Sequence, residues 1–214
     1  MLVKHRMTPN PITISPDATF PDAFRIIREK GIRYLPVVDK RSRLIGIVTQ
    51  SDLLRASPSS ATTLAAHEIN YLLAHLRVRE VMSSPITVPE DDPVEEAARL
   101  MVEKGISCLP VMRGGELVGI VTETDIFKAF VEILGSGEAV LRITMRVRDV
   151  PGELNRMTGV IGDLGGNLCS VAAFKGEDPE HVYITFRLEG VDEEVLLPAL
   201  EELGEEVAHV CRTG

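Results

Sequence analysis

The sequence predicts a mixed α/β (α+β) chain: two β-α-β-β-α repeats that pair with each other, then a single β-α-β-β-α-β unit. Three observations predict it. The first two thirds of the chain match themselves at an offset of 74 residues, and the last third carries its own alternation of strand-like and helix-like periods. Apolar residues make up 44 % of 214 positions, enough to bury a core in each part.

The repeat is read directly from the letters. Pro11-Ile12-Thr13-Ile14 matches Pro85-Ile86-Thr87-Val88, and Glu29-Lys30-Gly31-Ile32 matches Glu103-Lys104-Gly105-Ile106. Over residues 11–37, 13 of 27 positions are identical; one residue is then lost, and Leu44–Ala56 matches Leu117–Ala129 at 7 of 13. Such agreement in order is a duplication, not coincidence.

In the first copy Ile12-Thr13-Ile14 reads as a short strand, and Ala23, Phe24 and Ile27 stand at helical spacing. Gly31 ends that helix as a left-handed cap. Tyr34–Val38, a polar turn over Asp39–Arg43, and Leu44–Val48 form a hairpin, and a helix starts from Thr49. The second copy gives Cys108–Met112, a turn at Gly114-Gly115, Leu117–Val121 and a helix from Thr122. Between the copies, Ser57-Pro58-Ser59-Ser60 reads as a linker before a helix over about residues 62–76, striped by Ala65, Ile69, Leu72 and Leu76. His67 and His75 on it stand eight apart, too far for an i, i+4 metal pair, and read as surface or packing residues. The boundaries expected are 1–56, 57–77 and 78–133, with a last domain at 138–214.

In that last part Leu141, Ile143, Met145 and Val147 alternate with Arg142, Thr144, Arg146 and Arg148, a half-buried strand. Asp149-Val150-Pro151-Gly152 turns into a helix, with Asp149 expected as N-cap and Pro151 in the first turn. Leu154, Met157, Ile161 and Leu164 give its apolar stripe, and Gly159 and Gly162 within it read as close-packing positions. A strand near Leu168–Ala173, an alternating strand over Val182–Leu188, a helix with Val195, Leu196 and Leu200, and a strand near Val207–Cys211 complete a ferredoxin-like order.

Composition narrows function. Residues 1–55 carry 10 basic and 5 acidic groups (+5), residues 56–137 carry 6 and 12 (−6), and residues 138–214 carry 7 and 15 (−8), for the total of −9. An acidic C-terminal third repels phosphate backbones, so nucleic acid is not the expected partner. No apolar run approaches the roughly 20 residues of a membrane span, and the N-terminus reads as no signal peptide. Cys108, Cys169 and Cys211 are odd in number and far apart, which points to thiols in a cytoplasm rather than a disulfide framework or metal site.

With Met7 or Met82 ahead of Pro-Ile-Thr, and Gly46-Ile47-Val48-Thr49-Gln50-Ser51-Asp52 and Gly119-Ile120-Val121-Thr122-Glu123-Thr124-Asp125 closing the copies, residues 1–130 resemble a tandem pair of CBS domains. The resemblance implies clefts that hold an adenine nucleotide such as AMP, ADP or ATP, with the Asp on the ribose hydroxyls and the Thr near phosphate. Thr49, Asp52, Thr122 and Asp125 are the candidate residues, with Thr13, Thr87 and Arg33 beside them; no cofactor is required. The residues alone allow a plainer role. Thr with Asp three residues on is capping-box spacing, in which the Thr caps the helix and the Asp favours its positive end. The same helix start offers free N–H groups to a phosphate, and a carboxylate accepts both hydrogens of a vicinal diol. The copies differ in that Arg33 stands where the other has Ser107, and Tyr34 where the other has Cys108.

Asp149-x-Pro151-Gly152-x-Leu154 with Gly166-Asn167-Leu168 resembles an ACT domain over residues 139–212. That resemblance implies a small ligand, often an amino acid, near Asp149, Gly152 and Asn167; alternatively these residues only build the turn. RNA binding is the rival use, since Arg142, Arg146 and Arg187 share the open sheet face, but Tyr183 is the one aromatic expected there and the domain is acidic. The whole architecture resembles the acetoin-utilisation B-type proteins, which implies regulation of small-carbon metabolism.

No G-x-S-x-G, P-loop, H-E-x-x-H or paired Cys/His motif is present, and Asp91-Asp92 and Glu193-Glu194 read as charges at helix starts. The expectation is a non-enzymatic regulatory protein that senses an adenine nucleotide, as a cytoplasmic homodimer with an ACT domain for assembly or a second ligand. The alternatives are a ligand-free structural adaptor and a regulatory subunit of an acetoin or acetyl-CoA enzyme.

Overall fold

Each copy of the duplication folds around one antiparallel hairpin. The computed structural model describes residues 1–56, 66–135 and 140–213, which fall into two units, Met1–Ala129 and Phe130–Gly214. The expected linker at residues 57–60 and the first turn of the helix after it lie outside the described residues.

The first unit runs β1 (Thr8–Pro9), α1 (Phe20–Lys30), β2 (Tyr34–Val38), β3 (Leu44–Thr49), α2 (Gln50–Ala56), α3 (Ala66–His75), α4 (Val78–Val81), β4 (Val88–Pro89), α5 (Val94–Lys104), β5 (Cys108–Arg113), β6 (Glu116–Thr122) and the first seven residues of α6 (Glu123–Ile133), within which the boundary at Ala129 falls. Gly31 and Gly105 end α1 and α5 at φ 63° and 62°, the left-handed caps that the glycines predict. Gly114 and Gly115 turn the second hairpin at φ 55° and 93°, where any other residue is strained.

The expected strand over Ile12–Ile14 is a correction. Ile14 makes only a single parallel bridge to Val37, and its counterpart β4 is two residues long, pairing Val88 with Val111. Pro11 and Pro16, like Pro85 and Pro89, withhold the N–H groups that a longer ladder needs. The segments that lead into each copy pack across the duplication. Residues 1–9 lie against the second hairpin, with β1 pairing to β6 at Thr8↔Ile120, and Val3 N and Lys4 N each donate at 2.9 Å to Asp92 O and Glu90 O. Ser83 bridges Ile47 of the first hairpin, and Phe20 N donates to Leu76 O at 2.8 Å. Each leading segment therefore crosses to the other copy. Gly46 and Gly119 make the crossing close, because a Cβ there would meet Met82 and Met7 respectively.

Charge placement also differs from expectation. Asp91 and Asp92 precede a helix that starts at Val94 behind Pro93, and Asp91 instead accepts from Lys4 Nζ at 2.6 Å. On α1 the buried stripe is Phe20, Ala23 and Ile27, while Phe24 is 38 % exposed and stacks on Phe20. Phe20 at the first helical position takes the core site that spacing gave to Phe24.

The second unit runs β7 (Val140–Arg148), α7 (Glu153–Asp163), β8 (Asn167–Lys175), β9 (His181–Glu189), α8 (Glu193–Glu201) and β10 (Glu206–Thr213). Its sheet has the order β10-β7-β9-β8, antiparallel throughout. Leu141, Ile143, Met145, Ile184, Phe186 and Leu188 pack under Met157 and Ile161 of α7 and Leu196 and Leu200 of α8. Asp149 is not the N-cap that the sequence predicts: Gly152 holds that position at φ 100°, and Asp149 N donates to Glu180 O at 2.9 Å, tying off the strand end. Leu154 and Val195 leave their expected stripes and are about half exposed. Glu153 is buried in Leu154's stead, its carboxylate paired with Arg156 Nη1 at 2.8 Å. Gly159 and Gly162 are not close-packing positions, since a Cβ at either meets open space.

Candidate functional site

Thr49 closes β3 and Asp52 stands in the first turn of α2. Thr49 N and Oγ1 donate to Asp52 Oδ2 at 2.9 and 2.7 Å, and Asp52 N donates back to Thr49 Oγ1 at 3.1 Å. In the second copy Thr122 N and Oγ1 donate to Asp125 Oδ2 at 2.9 and 2.7 Å. Both helix starts are tied to the loop before their hairpin, through Gln50 N to Arg33 O at 2.9 Å and Glu123 N to Ser107 O at 3.1 Å. The spacing alone is a cap: Thr19 and Asp22 make the same box at the start of α1.

What sets Thr49 and Asp52 apart is the space in front of them. They line a cleft of about 300 Å³ with Tyr34, Ile47, Ser51 and Arg55 from the first copy, and Ser83, Ser84, Ile86, Ile106, Ser107, Cys108 and Pro110 from the second. The Asp52 side chain is 10 % exposed; its Oδ2 is taken by Thr49 and its Oδ1 is ion-paired with Arg55 Nη2. A carboxylate has about four lone-pair sites, so acceptor capacity remains. Tyr34, Ile47 and Cys108 give the cleft an apolar wall where the two hairpins meet. Burial pushes the Cys108 thiol up to about 12, opposed by the nearby Arg33 charge and reinforced by Asp52 and Glu123, so it stays neutral as part of that wall.

The structure thus brings Thr49 and Asp52 together across the copies with residues that spacing did not single out. Arg55, Ser83, Ser84 and Ser107 belong to this group, and only the i+3 spacing of Arg55 from Asp52 signals any of them in the sequence. Thr13 and Thr87 are exposed, and Ile86 rather than Thr87 lines the cleft. Arg33 is not among the lining residues; its guanidinium lies 5.4 Å above the Tyr34 ring.

In the second unit Asp149 and Gly152 border a cavity of about 420 Å³ with Phe174 and Lys175, and Lys175 Nζ lies 3.5 Å from Asp149. Asn167 is elsewhere. It donates to Glu189 at 3.0 Å, at the other end of β8, eight residues and about 26 Å from Lys175. The sheet face away from α7 and α8 is not open along its length as the sequence suggests: Thr144 and Thr185 are buried and hydrogen-bond at 2.9 Å, and Arg187 is buried, its Nη1 donating to Leu134 O at 3.1 Å, with Arg142 beside Thr185. Arg146 is already paired, with Asp178 at 2.6 Å and Glu206 at 3.5 Å. Tyr183 is not the one aromatic there: Phe174 stacks on it, ring centroids 5.3 Å apart. Among the described residues no group of three or more His, Cys, Asp or Glu is placed to hold a metal, and no helix is long and apolar enough to cross a membrane.

Comparison with known proteins addresses the first unit. The family model of the CBS domain matches residues 3–59 and 78–132. A CBS domain-containing protein of Dictyostelium discoideum is 34 % identical over 63 % of this chain and 94 % of its own length. Inosine-5'-monophosphate dehydrogenase of Korarchaeum cryptofilum is 37 % identical over 54 % of this chain, but the match spans only 21 % of that enzyme. Among solved structures, the CBS domain pair of MJ0100, in complex with 5'-methylthioadenosine and S-adenosyl-L-methionine, is 31 % identical at TM-score 0.51, covering 61 % of this chain and 95 % of that one. CBSX2 in complex with AMP is 30 % identical at TM-score 0.52, covering 62 % and 97 %. A Vibrio cholerae protein named for acetoin utilization, AcuB, is 33 % identical at TM-score 0.51, covering 61 % and 90 %.

Proposed function

This chain belongs to the CBS-domain family, and on that premise we propose that it is a non-enzymatic regulatory protein sensing an adenosine-containing ligand. The observation that carries the reading is the cleft at Asp52. An apolar wall of Tyr34, Ile47 and Cys108 suits a purine, a carboxylate suits a ribose diol, and the start of α2 with Arg55 suits a phosphate. Its volume of about 300 Å³ sits at the small end of ligand sites, of which roughly 300–1,000 Å³ is typical. The likeness to chains bound to AMP or to S-adenosyl-L-methionine supports the same ligand class. The Asp125 cap is the counterpart in the second copy. Thr13 and Thr87, exposed beside the leading segments, are peripheral in this reading.

The second unit is proposed as an ACT-type module that joins two copies into a dimer through the sheet face away from α7 and α8, where Phe174 is about half exposed. A small amino acid would meet Asp149 and Gly152, with Asn167 outside that cavity. The likeness to AcuB favours regulation of an acetoin or acetyl-CoA enzyme as the downstream role.

Calorimetric titration with adenosine, AMP, ADP, ATP and S-adenosyl-L-methionine tests the ligand reading. Binding of at least one is expected, weakened at least tenfold in Asp52→Ala with Asp125→Ala. The two carboxylates lose charge-assisted hydrogen bonds of about 1.5–3 kcal/mol each, against about 1 kcal/mol for a lost cap. No binding by the intact chain, or unchanged affinity in the double variant, overturns the proposal and leaves the adaptor role.

A further inference from the structure

We infer that the second unit binds a compact dianion, a phosphate monoester or a dicarboxylate, between Arg142 and Arg187 on the sheet face away from α7 and α8. The inference goes beyond the adenosine reading and concerns neither the Asp52 cleft nor the cavity at Asp149 and Gly152. Arg142 and Arg187 stand directly opposite each other on β7 and β9. Side chains in that register start about 4.5–5.5 Å apart at Cβ, so like charges there repel. Ser170 of β8 is the next residue across, and Thr144 with Thr185 forms the neighbouring row.

Both arginines, Ser170 and Thr185 line one cavity of about 300 Å³. Among the described residues no carboxylate lines it, although residues 138–214 carry 15 acidic groups against 7 basic ones. The other arginines of β7 are neutralised. Arg146 is paired with Asp178 at 2.6 Å and Glu206 at 3.5 Å, and Arg148 with Glu205 at 3.7 Å. Arg142 makes no ion pair among the described residues. Its Nη1 lies 3.4 Å from His209 Nδ1 and its Nη2 lies 3.5 Å from Thr185 Oγ1. Both distances exceed the range of about 2.7–3.2 Å for a well-formed bond.

Burial strengthens the pull on an anion. Arg187 is 8 % exposed, so little water stands between its charge and the cavity. Leu134 O accepts from Arg187 Nη1 at 3.1 Å and from Ser170 Oγ at 3.0 Å, which ties the chain just after α6 to the sheet. That anchor accounts for the place of Arg187 and leaves the second guanidinium opposite it unexplained. A dianion accounts for both. The planar fork of Arg142 meets two oxygens of a phosphate or carboxylate in parallel, and Arg187 faces them from the next strand. Leu134, Ala172 and Phe174 give the cavity an apolar side for a short carbon body, with the Phe174 ring stacked on Tyr183. The same face is proposed to meet a second copy. A guanidinium pair covered by protein needs an anion all the more, and the two readings fail in separate measurements.

Calorimetric titration of the full-length chain with inorganic phosphate and with succinate, in a low-salt buffer free of other multivalent anions, tests the site. Saturable binding of at least one probe is expected. Arg142→Gln should weaken it at least tenfold, and Arg142→Lys, which keeps the charge without the fork, should fall between. Arg142 is half-buried and makes no short contact, so the variants should fold, which far-UV circular dichroism checks. Arg55→Gln, in the Asp52 cleft, should leave this binding unchanged. The tighter probe identifies the charged group: phosphate points to a phosphate monoester, succinate to a dicarboxylate. No saturable binding of either, or equal affinity in Arg142→Gln, overturns the inference and leaves the adenosine reading standing. Binding lost in Arg55→Gln but kept in Arg142→Gln overturns it too, by placing the anion in the Asp52 cleft.

Discussion

Gly46→Ala puts a methyl group where it would lie 2.5 Å from Met82 Sδ and 3.1 Å from its Cγ. Non-bonded carbon contacts are optimal at about 3.5–4.0 Å, so the overlap is about 1 Å. Overpacking of this kind costs about 1–3 kcal/mol, and the half-buried thioether of Met82 can swing aside, which places the clash near the lower end. Gly46 has no positive φ, so replacing it also gains about 0.5–1 kcal/mol by restricting the unfolded chain. The single variant is therefore nearly neutral. The informative quantity is the coupling with Met82→Ala, which removes the obstructing atoms. Because leading segments cross between the copies, Gly46 should couple to Met82, and Gly119 to Met7, by about 1–2 kcal/mol in double-mutant cycles. The uncrossed pairs, Gly46 with Met7 and Gly119 with Met82, should add within about 0.5 kcal/mol. Urea unfolding of the full chain followed by far-UV circular dichroism measures all four cycles. Coupling in the uncrossed pairs would mean that each segment lies on its own hairpin, and the account of the crossing would fail.

Acid should destabilise the protein through a specific set of carboxylates. Asp22 is held below its usual range chiefly by the Thr19 hydroxyl, Asp39 by the Arg43 N–H, Glu90 by Arg113, Asp91 by Lys4, and Asp178 by the Glu180 N–H with His181 and Arg146. A carboxylate depressed in the folded state contributes stability above its unfolded value, 3.8 for Asp and 4.5 for Glu, and loses it as pH falls through the folded value. Urea midpoints should be level from about pH 5 to 7 and drop below about pH 4; a midpoint unchanged at pH 3 would contradict this. The proposed dimer is checked by sedimentation velocity of the intact chain at micromolar concentration. A dimer is expected, shifted toward monomer by Phe174→Asp on the exposed part of the sheet face away from α7 and α8, and a monomeric native chain rejects it.

The duplication was legible because identity between copies needs no structural knowledge, and the alternating strands of the second unit were legible because one face of each is buried. Helix ends marked by Gly31 and Gly105 were equally plain. The misread positions share a cause: local pattern was outweighed by contacts from distant sequence. Phe24 has the spacing of a core residue, yet Phe20 fills the site. Asp149 is a good N-cap by type, yet its N–H is committed to Glu180 and Gly152 alone takes the left-handed cap without strain. Arg146 reads as an unmatched charge until the turn before β9 delivers Asp178 to it.

The candidate site shows the same limit more sharply. Thr-x-x-Asp occurs three times at helix starts in this chain, at Thr19, Thr49 and Thr122, and each instance makes the Thr–Asp hydrogen bonds of a cap. The motif therefore explains the helix and not the function. Function has to come from what faces the carboxylate, and at Asp52 that is a wall from the other copy, Ile106, Ser107 and Cys108, about 55 residues further along the chain. Residues outside the cap diverge without disturbing it: Ser107 and its counterpart Arg33 differ while Thr49–Asp52 and Thr122–Asp125 keep the same 2.7 Å hydroxyl–carboxylate bond. A duplicated module built this way can hold its two caps constant while the residues that face them change.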